Sequence, residues 1–519
     1  MTRVLKSYLS GAFVAGTGRT STLFDPTRGV AVAQTSTEGL DLGAALDFAR
    51  SVGGPALRAL TFAERGAVLG AMASALHAHR DELLDLARLN GGNTRGDAKF
   101  DVDGATGTMA YFGKLGASLG DRTFLVDGDS EQLARNPRYI GQHLRVPRHG
   151  VAVHINAFNF PAWGFGEKAA VAILAGVPVV CKPATSTALV TARMFEILVE
   201  AGVAPEGSIS LLAGSAGDLL DHLGPQDAVA FTGSSDTGAM IRGRANLVKL
   251  GVPVNVEADS LNSAVMGPDV EVGTDTFDMF VREVARDMTQ KAGQKCTATR
   301  RIFVPSSAMD DVREALVEEI KRTQVGDPAL KQVRMGPVAT AQQHKDVKTG
   351  IQRLASEGRF VYGDGGPGKL EGEGLDAGYF VGPTLLEVNH AGPGLVHELE
   401  VFGPVQTLVP YDGSAAEVIP AVALGKGSLV SSVYTDDKRF ATDLILGLAP
   451  HNGRLHLGGR KVADHSPGPG TVLPQMVHGG PGRAGGGEEL GGERGLHFYM
   501  QRTAVQGLKP LIERIAGLS

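Results

Sequence analysis

Cys296 is the residue of this sequence best suited to covalent chemistry. It is one of two cysteines in the chain, although a lone cysteine is more often a small buried hydrophobic residue than a nucleophile. Gly293 leaves the backbone room to approach a ligand. Positive charge would favour the reactive thiolate, and four basic residues lie near it in sequence: Lys291, Lys295, Arg300 and Arg301. We expect Cys296 to be a nucleophile and Cys181, in VPVVCK, to be structural.

A carboxylate, a glycine-rich turn and an amide stand at the ends of other apolar runs. Glu257 ends VPVNVE, where it is either a general base or an ordinary salt-bridged strand end. The peptide FTGSSDTG, 231–238, follows a short strand and begins a helix, so its N–H groups suit a pyrophosphate. No Lys follows Gly238, which excludes a Walker loop and argues against phosphoryl transfer. Asn159, in NAFNFP, lies just beyond the run GVAVHI, at an expected strand end. Most asparagines in such a position only shape a turn.

The elements that must position these residues form two alternating patterns. Between residues 150 and 260, the apolar runs GVAVHI, VPVVCK, SISLL, AVAF and PVNVE alternate with helical stretches. This alternation predicts a parallel sheet that binds ligands at the carboxyl ends of its strands. A second alternation, from RRIFVP to SLVSSVYT, predicts another α/β unit. We expect an α/β fold with a Rossmann-type cofactor domain (residues 1–130 and 150–258) and an α/β catalytic domain (residues 259–475).

Two extended segments belong to neither unit: RNPRYIGQHLRVPRHG and LHFYMQRTAVQGL. Exposed strand edges need partners, so residues 131–149 and 490–519 are predicted to form a small β oligomerisation element. We expect a homodimer or a dimer of dimers. On composition alone, a flexible linker is the alternative interpretation of the glycine-rich segment 479–495.

Composition excludes several classes of protein. The 519 residues are 43% hydrophobic and carry a formal net charge of -6 without a broad basic field, so we predict no nucleic-acid partner. The N-terminus lacks a signal-peptide core and no apolar run reaches membrane-spanning length, so we predict no membrane association. The small number of cysteines favours a reducing compartment and a cytoplasmic protein. We predict no metal site.

Taken together, these segments resemble the aldehyde dehydrogenase superfamily over nearly the whole chain. NFP looks like the motif whose asparagine, here Asn159, donates to an oxyanion, and GQKC looks like the nucleophile loop. Glu257 matches the general base. EELGGERGL looks like the closing segment, in which Glu489 faces Lys168 and could relay a proton; otherwise Lys168 is an ordinary surface lysine. The resemblance, through VVCKPAT, FTGSSDTG and ELEVFGPV, implies these cofactor-binding residues: Lys182, Thr185, Ser186, Phe231, Thr232, Gly233, Ser234, Gly238, Glu400 and Phe402.

Two departures from the family pattern refine the expectation. Ala258, Asp259, Ser260 and Leu261 stand where most members have Leu-Gly-Gly-Lys after the base. The resulting VEADSLN, with QKCTATRR, resembles the branch that oxidises CoA-linked semialdehydes in phenylacetate and benzoate degradation. The phenylacetate enzymes carry an additional hydratase domain, so this sequence is more similar to the stand-alone benzoate-pathway dehydrogenase. The substitution leaves open which backbone atoms near residue 259 contact the nicotinamide. Where members that prefer NAD commonly have Glu, this chain has Thr185, which favours NADP, with NAD as the alternative.

The resemblance implies that the protein oxidises a small-molecule aldehyde to an acid through a Cys296 thioester. The expected substrate is a CoA-linked aliphatic semialdehyde. Alternatives are a general small-aldehyde dehydrogenase and a CoA-acylating enzyme, which needs no base and is therefore disfavoured by Glu257. A non-enzymatic protein on the same scaffold would be expected to lose the nucleophile or the base, and both are present.

Overall fold

Two seven-stranded sheets form the framework of the chain, which a computed structural model describes from residue 3 to residue 517. The strands are β1 Arg3–Leu5, β2 Ser7–Leu9, β3 Ala12–Val14, β4 Ser21–Asp25, β5 Val30–Thr35, β6 Leu125–Gln132, β7 Tyr139–Pro147, β8 Ala152–Ile155, β9 Val179–Lys182, β10 Ile209–Leu211, β11 Ala228–Thr232, β12 Val254–Glu257, β13 Ser263–Met266, β14 Arg301–Pro305, β15 Val325–Gly326, β16 Arg359–Tyr362, β17 Leu370–Glu371, β18 Thr384–Glu387, β19 Val405–Tyr411, β20 Ser428–Tyr434, β21 Asn452–Gly458, β22 Val477–Gly479, β23 Glu488–Leu490 and β24 Met500–Leu508.

Helices connect most of these strands, as the alternating pattern predicts. They are α1 Leu42–Phe48, α2 Gly54–Arg58, α3 Phe62–Ala78, α4 Arg80–Gly91, α5 Arg95–Leu119, α6 Trp163–Leu174, α7 Ala188–Glu200, α8 Ser235–Arg242, α9 Ala245–Leu250, α10 Asp275–Thr289, α11 Met309–Lys321, α12 Ala341–Ala355, α13 Ala415–Ala423, α14 Lys438–Leu448 and α15 Lys509–Ala516. Residues 1 and 2 of the expected cofactor domain, and residues 518 and 519 of the expected C-terminal segment, lie outside the described residues.

The first sheet has the strand order β12-β11-β8-β9-β10-β2-β3. It is parallel from β12 to β10, and the antiparallel pair β2 and β3 closes one side. From the central strand β8 the chain moves outward through β9 and β10 on one side, then returns to form β11 and β12 on the other. Ligands bind at such a reversal of strand order, so the carboxyl ends of β8 and β11 are the place to look for a site.

The second sheet has the order β16-β18-β19-β14-β13-β20-β21 and is parallel except at β16. Every residue of β14 and β20 is buried. Strands covered on both faces read as continuous apolar runs rather than as alternating ones, which explains why RRIFVP and SLVSSVYT stand out in the sequence.

Two helices bring chemistry to the region between the sheets. Helix α10 begins at the N-cap Thr274, whose side chain accepts from Phe277 N, and it ends just before the GQKC segment. Its buried stripe, at helical spacing, includes Phe277, Phe280 and Val284. Helix α6 is buried at all twelve positions, charged residues included. Charged side chains are almost never fully buried unless they are paired, so α6 must carry an ion-pair network.

The extended segments form a third, smaller sheet of order β24-β7-β6. Strands β7 and β24 pair with each other inside one chain along their full length, from Met500 opposite Pro147 to Leu508 opposite Tyr139. The sheet also includes β6, so it begins before residue 131. A separate three-stranded sheet, β1-β5-β4, was not expected from the sequence. Within residues 3–517, no helix has the length and apolarity needed to cross a membrane.

The glycine-rich segment is ordered, and the flexible-linker interpretation is wrong. Strands β22 and β23 form an antiparallel pair in which His478 lies opposite Glu489. Ala258 N donates to the Ala484 carbonyl at 3.0 Å, which fixes the segment against the strand end that carries Glu257. Glycine is required here because a Cβ at Gly485 would overlap the Val256 carbonyl oxygen.

Candidate active site

The predicted chemical residues meet where the two large sheets face each other. Asn159 follows β8, and Glu257 is the last residue of β12. Cys296 arrives from the opposite side, on the loop between α10 and β14. A cavity of about 20 Å³ touches Asn159, Glu257 and Cys296, which is room for a single water molecule. The structure thus brings a thiol, a carboxylate and an amide around one small space.

The backbone of the nucleophile loop turns through an unusual left-handed run. Lys291, Ala292 and Gly293 have φ values of 53°, 51° and 69°, and a non-glycine residue in this region costs of order 1 to 3 kcal/mol. A Cβ at Gly293 would overlap the carbonyl oxygen of Gly403. The turn is held by Lys291, whose N–H donates to Asp97 at 2.9 Å and whose ammonium donates to Asn93 at 3.0 Å.

The four basic residues near Cys296 do not contact its sulfur, which corrects the expectation that they promote the thiolate. Lys295 donates to Asp287 at 2.7 Å and to Gln290 at 2.8 Å, and Lys291 is occupied as described. Arg300 and Arg301 donate to backbone carbonyls. These cations hold the loop in place, and activation of the thiol falls to other groups.

Glu257 is buried beside a histidine that the sequence interpretation did not single out. Its Oε1 lies 3.1 Å from His478 Nε2, and both side chains are almost fully buried. Thr232 Oγ1 donates to Oε2 at 3.4 Å. Burial alone would raise the pKa of Glu257, but His478, the Lys168 charge and the Cys296 thiol outweigh it and hold the pKa at about 2. Glu257 is therefore a carboxylate in the resting site.

Cys296 rests as a neutral thiol in this arrangement. Burial, followed by the charge of Glu257 and its hydrogen bond, raises the pKa of the thiol well above its ordinary value. His478 Nε2 lies 3.8 Å from Sγ. Within 291–300, Cys296 alone has appreciable solvent exposure, so the thiol can be reached by a substrate. Cys181 is fully buried, and burial raises its pKa to about 12, as suits a structural residue.

Asn159 points its amide at the nucleophile loop. Nδ2 donates to the Gln294 carbonyl at 3.1 Å, two residues before Cys296. The Cys296 carbonyl is held in turn by Asn262, whose Nδ2 donates to it at 2.7 Å and to the Ala298 carbonyl at 2.9 Å. The thiol and the Asn159 amide are thus fixed relative to each other by backbone contacts.

Lys168 lies within a cluster of carboxylates, which rules out the surface-lysine alternative. Its ammonium is 2.6 Å from Glu167 and 3.0 Å from Glu489. Carboxylate oxygens of Glu167, Glu257 and Glu489 all lie within 4.8 Å of one another. Burial, reinforced by these like charges and opposed by Lys168, raises the pKa of Glu167 well above its ordinary value. The cluster connects Glu257 to Glu489 and was predicted without Glu167.

Only part of the FTGSSDTG turn has the geometry expected of a cofactor-binding loop. Ser234 caps α8, and Asp259 accepts from Ser235 N at 3.1 Å and from Ser235 Oγ at 2.6 Å. Phe231 is a core residue, and a Cβ at Gly238 would press on Val256. These two positions therefore pack the helix on the strand, while Thr232, Gly233 and Ser234 lie at the open edge.

Glu400 and Phe402 lie beside the residues that depart from the family pattern. Ser260 N donates to Glu400 Oε2 at 3.0 Å. Burial raises the pKa of Glu400 to about 7 against the opposing charge of Arg300. The Phe402 ring packs under the Arg300 guanidinium at 5.3 Å and edge-on against Phe158 at 5.9 Å.

Lys182, Thr185 and Ser186 lie together after β9. Thr185–Thr187 form a single 3-10 turn, and Asn90 fixes it by donating to the Ser186 carbonyl at 2.9 Å. Burial lowers the pKa of Lys182. Within residues 3–517, no carboxylate forms an ion pair with Lys182, so its charge is available to a ligand.

A tunnel of about 440 Å³ leads to Cys296. Its walls are largely apolar, and they include Phe100, Tyr111, Phe160, Trp163, Val472 and Leu473. Lys99 and Asp103 also line it. An apolar channel with a thiol in its wall suits an aldehyde on an aliphatic chain.

Comparison with known proteins agrees with this geometry. The model of the aldehyde dehydrogenase family matches residues 13–505. A 3,4-dehydroadipyl-CoA semialdehyde dehydrogenase from Aromatoleum evansii is 45% identical over 92% of this chain and 93% of its own length. Two solved structures share the fold: a lactaldehyde dehydrogenase, with TM-score 0.85, 23% identity and coverage of 98% and 100%, and the betaine aldehyde dehydrogenase of Staphylococcus aureus in complex with NAD+, with TM-score 0.82, 24% identity and coverage of 97% and 95%. The predicted α/β fold is confirmed, and this chain belongs to the aldehyde dehydrogenase family.

Proposed function

We propose that this enzyme oxidises a CoA-linked aliphatic semialdehyde to the carboxylic acid through a thioester on Cys296. The observation that carries the proposal is the convergence of Cys296, Glu257 and Asn159 on a one-water cavity. An enzyme that hands the acyl group to CoA has no need of a buried carboxylate and a water there, whereas hydrolysis needs both.

Addition of the Cys296 thiolate to the aldehyde places negative charge on the carbonyl oxygen. The Asn159 amide and the Cys296 backbone N–H are the donors for this oxyanion. One such donor typically contributes about 3 to 4 kcal/mol to lowering the barrier. A nicotinamide, when bound, supplies the hydride acceptor that turns the adduct into a thioester. Among the residues that would hold the cofactor, Thr232, Gly233 and Ser234 are incompletely buried at the end of β11, and Lys182 carries a charge without an ion-pair partner in the described part of the chain, which fits a ligand with phosphates.

Hydrolysis of the thioester requires a base on water. Glu257 contacts the one-water cavity, and its low pKa keeps it in the ionised form, with a free lone pair for a proton, at neutral pH. The proton then leaves through the cluster of Lys168, Glu167 and Glu489. The Lys168 ammonium lies 2.6 Å from a carboxyl oxygen of Glu167 and 3.0 Å from one of Glu489. Asn255 donates to Glu489 at 3.3 Å and orients the outer end.

The substrate assignment rests on the tunnel and on the relative. A tunnel of about 440 Å³ with apolar walls accepts an extended aliphatic chain, and the 45% identical relative is named for a CoA-linked semialdehyde. An aldehyde at the end of a chain can reach Cys296 while the CoA group stays outside. The two free cysteines suit a cytoplasmic enzyme of aromatic-compound degradation.

NADP is the proposed cofactor. A 2′-phosphate needs positive charge and hydrogen-bond donors without a carboxylate in the same place. Lys182 supplies an unpaired charge, and Thr185 and Ser186 supply hydroxyls. The proposed functional division assigns residues 1–130 and 150–258 to the cofactor, 259–475 to catalysis, and 131–149 and 490–519 to oligomerisation, and β6 extends the oligomerisation element back to Leu125.

The small sheet β24-β7-β6 and the edge strand β21 are proposed to join subunits. Exposed apolar side chains on or near these edges include Leu133, Tyr139, Val146, Leu457 and Leu508. Open edges and exposed apolar residues on the same elements call for a partner chain.

Glu257→Gln should separate the two halves of the reaction. The amide keeps the shape of the side chain but cannot accept a proton from water, so the thioester accumulates. We expect a burst of reduced cofactor close to one equivalent per site, followed by turnover slowed by about 100-fold or more. Stopped-flow absorbance measures both phases, and Cys296→Ala is the control that shows no burst. Full steady-state activity in Glu257→Gln would contradict the role of Glu257.

Thr185→Glu should reverse the cofactor preference. A carboxylate at this position repels a 2′-phosphate and accepts from ribose hydroxyls, so kcat/KM for NADP should fall by about tenfold or more while that for NAD changes little. Thr185→Gln, of equal size and no charge, is the matched control. A wild type that uses NAD better, or a Glu variant that still prefers NADP, would show that Thr185 is not the selector.

Sedimentation should give a homodimer or a dimer of dimers at micromolar concentration. Val146→Asp places charge on the exposed face of the small sheet and Leu457→Asp places it on the edge strand β21, and both should shift the equilibrium toward smaller species. Leu446→Asp, on the outer face of α14, is the control, because Leu446 is 72% exposed and belongs to neither strand. A stable, active wild-type monomer would contradict the assignment.

A further inference from the structure

His478 is a buried polar group at the reacting centre to which the proposed mechanism gives no task. It comes from β22, and its position is fixed by backbone pairing with Glu489 and by edge-on packing of its ring against Trp163 at 5.5 Å. Its Nε2 lies near both reacting side chains, 3.1 Å from Glu257 Oε1 and 3.8 Å from Cys296 Sγ. One ring nitrogen therefore faces two groups that exchange a proton.

We propose that the Nε2–H of His478 is the hydrogen-bond donor that stabilises the Cys296 thiolate. In the resting site the charge is on Glu257, and Nε2–H faces that carboxylate. On activation the S–H bond of Cys296 breaks and an O–H bond forms on Glu257, so the negative charge moves to sulfur. His478 keeps its own proton throughout, and its hydrogen bond shifts from Oε1 to Sγ, following the charge.

The charges around the thiol leave this task to His478. Glu257, Glu167 and Glu400 raise the pKa of Cys296 and so oppose thiolate formation. Arg300 and Arg454 carry positive charge that acts on Cys296 from a distance, but their N–H groups donate to backbone carbonyls and not to the sulfur. Lys168 is engaged by Glu167 and Glu489. Within residues 3–517, His478 is the only side-chain nitrogen recorded in hydrogen-bond contact with Cys296 Sγ.

Two substitutions distinguish a donor from a merely structural ring. His478→Phe keeps a flat ring against Trp163 but has no donor, whereas His478→Gln places an amide N–H near the position of Nε2 without a titratable group. The readout is the pH dependence of alkylation of Cys296 by iodoacetamide, which reports the thiolate fraction. Cys296→Ala is the background, since Cys181 is fully buried.

We expect the alkylation profile of His478→Phe to move to higher pH by about one unit, a tenfold loss of rate at fixed pH. The Gln variant should stay within about threefold of wild type at each pH. Superimposed profiles for Phe and wild type would overturn the proposal. A Gln variant as impaired as Phe would overturn it too, because a neutral N–H donor would then be insufficient.

A separate observation concerns a basic pocket of about 700 Å³ beside the first turn of α5. Its walls include the six cations Arg95, Arg282, Arg286, Arg322, Lys331 and Arg334. Glu319 is paired with Arg322, and Asp97 is buried and faces Lys291. Arg282 and Arg286 donate to backbone carbonyls. Within residues 3–517, these two arginines, Lys331 and Arg334 form no ion pair with a carboxylate.

The basic pocket and the substrate tunnel are formed in part by the same helix and the same loop. Arg95 lines the pocket and Lys99 lines the tunnel, and residues four apart on a helix are neighbours on one face. A single loop touches both spaces: the Pro467 carbonyl accepts from Arg286, while Gly470 and Thr471 line the tunnel.

From this arrangement we infer that the basic pocket binds the phosphates of a CoA-linked substrate whose acyl chain enters the tunnel. The inference rests on the substrate class proposed above. Arginine and lysine are the residues that bind phosphates through charge-assisted hydrogen bonds, and the chain as a whole is acidic, with net charge -6, so this concentration of unpaired cations is local.

The test compares two thioesters of one six-carbon semialdehyde, one with CoA and one with N-acetylcysteamine, which has the same acyl group and no phosphate. In wild type, kcat/KM should favour the CoA thioester, and added salt should reduce that advantage. The double variant Lys331→Gln/Arg334→Gln should lower the CoA advantage by about tenfold or more, with the N-acetylcysteamine value unchanged. Arg439→Gln, an exposed cation on α14, is the control.

The outcomes separate the two hypotheses. An advantage for CoA that survives in the double variant would overturn the pocket assignment and leave the substrate class standing. Equal use of both thioesters by wild type would also overturn the assignment. Oxidation of simple aldehydes without oxidation of either thioester would contradict the proposed substrate class itself.

Discussion

The buried guanidinium of Arg300 is the contact on which the reacting centre depends. It donates to the Gly293 carbonyl at 3.0 Å on the nucleophile loop and to the Gly403 carbonyl at 2.9 Å on the loop that carries Glu400 and Phe402. Its flat face covers the Phe402 ring. One cation thus fixes the distance between the thiol and the cofactor-side residues. Because removal of a buried partner leaves carbonyls unsatisfied, the left-handed turn could not persist without it.

The carboxylate cluster imposes the second constraint. Three glutamates share one lysine inside a fully buried helix environment, and like charges this close cannot all ionise. At one end of the cluster, His478 faces Glu257 and reduces the repulsion between the like charges. At the other end, the raised pKa of Glu167 favours its neutral form and reduces the repulsion too. Proton affinity is therefore uneven across the cluster, because the pKa of Glu257 at the water cavity is lowered and the pKa of Glu167 farther along is raised. A proton affinity that rises away from the cavity favours movement of a proton in that direction.

Sequence patterns predicted the fold and the principal reacting groups because both leave strong local signals. Apolar runs that alternate with helices predict parallel sheets, and Cys296 and Glu257 stand at the ends of recognisable segments. His478 was missed because its meaning depends on the pairing of β22 with β23, which no local pattern reveals; the only signal was a histidine in the glycine-rich VHGG. The expectation of an electropositive thiol was wrong for a related reason. The basic side chains near Cys296 are directed at other partners, such as Asp287 for Lys295 and the Gly403 carbonyl for Arg300, and a linear sequence does not show these contacts.

The segment VEADSLN departs from the family pattern, and its polar residues make specific contacts with the elements around it. Asp259 accepts from the first residue of α8, Ser260 N–H donates to Glu400, and Asn262 holds the Cys296 carbonyl. Ser260 Oγ also donates to Asn262 Oδ1 at 2.6 Å. Asp259, Ser260 and Asn262, three of the five residues that follow Glu257, therefore connect α8, Glu400 and the nucleophile loop. Because these contacts lie within one short segment, a displacement of α8 or of Glu400 would act on the position of the Cys296 loop through it.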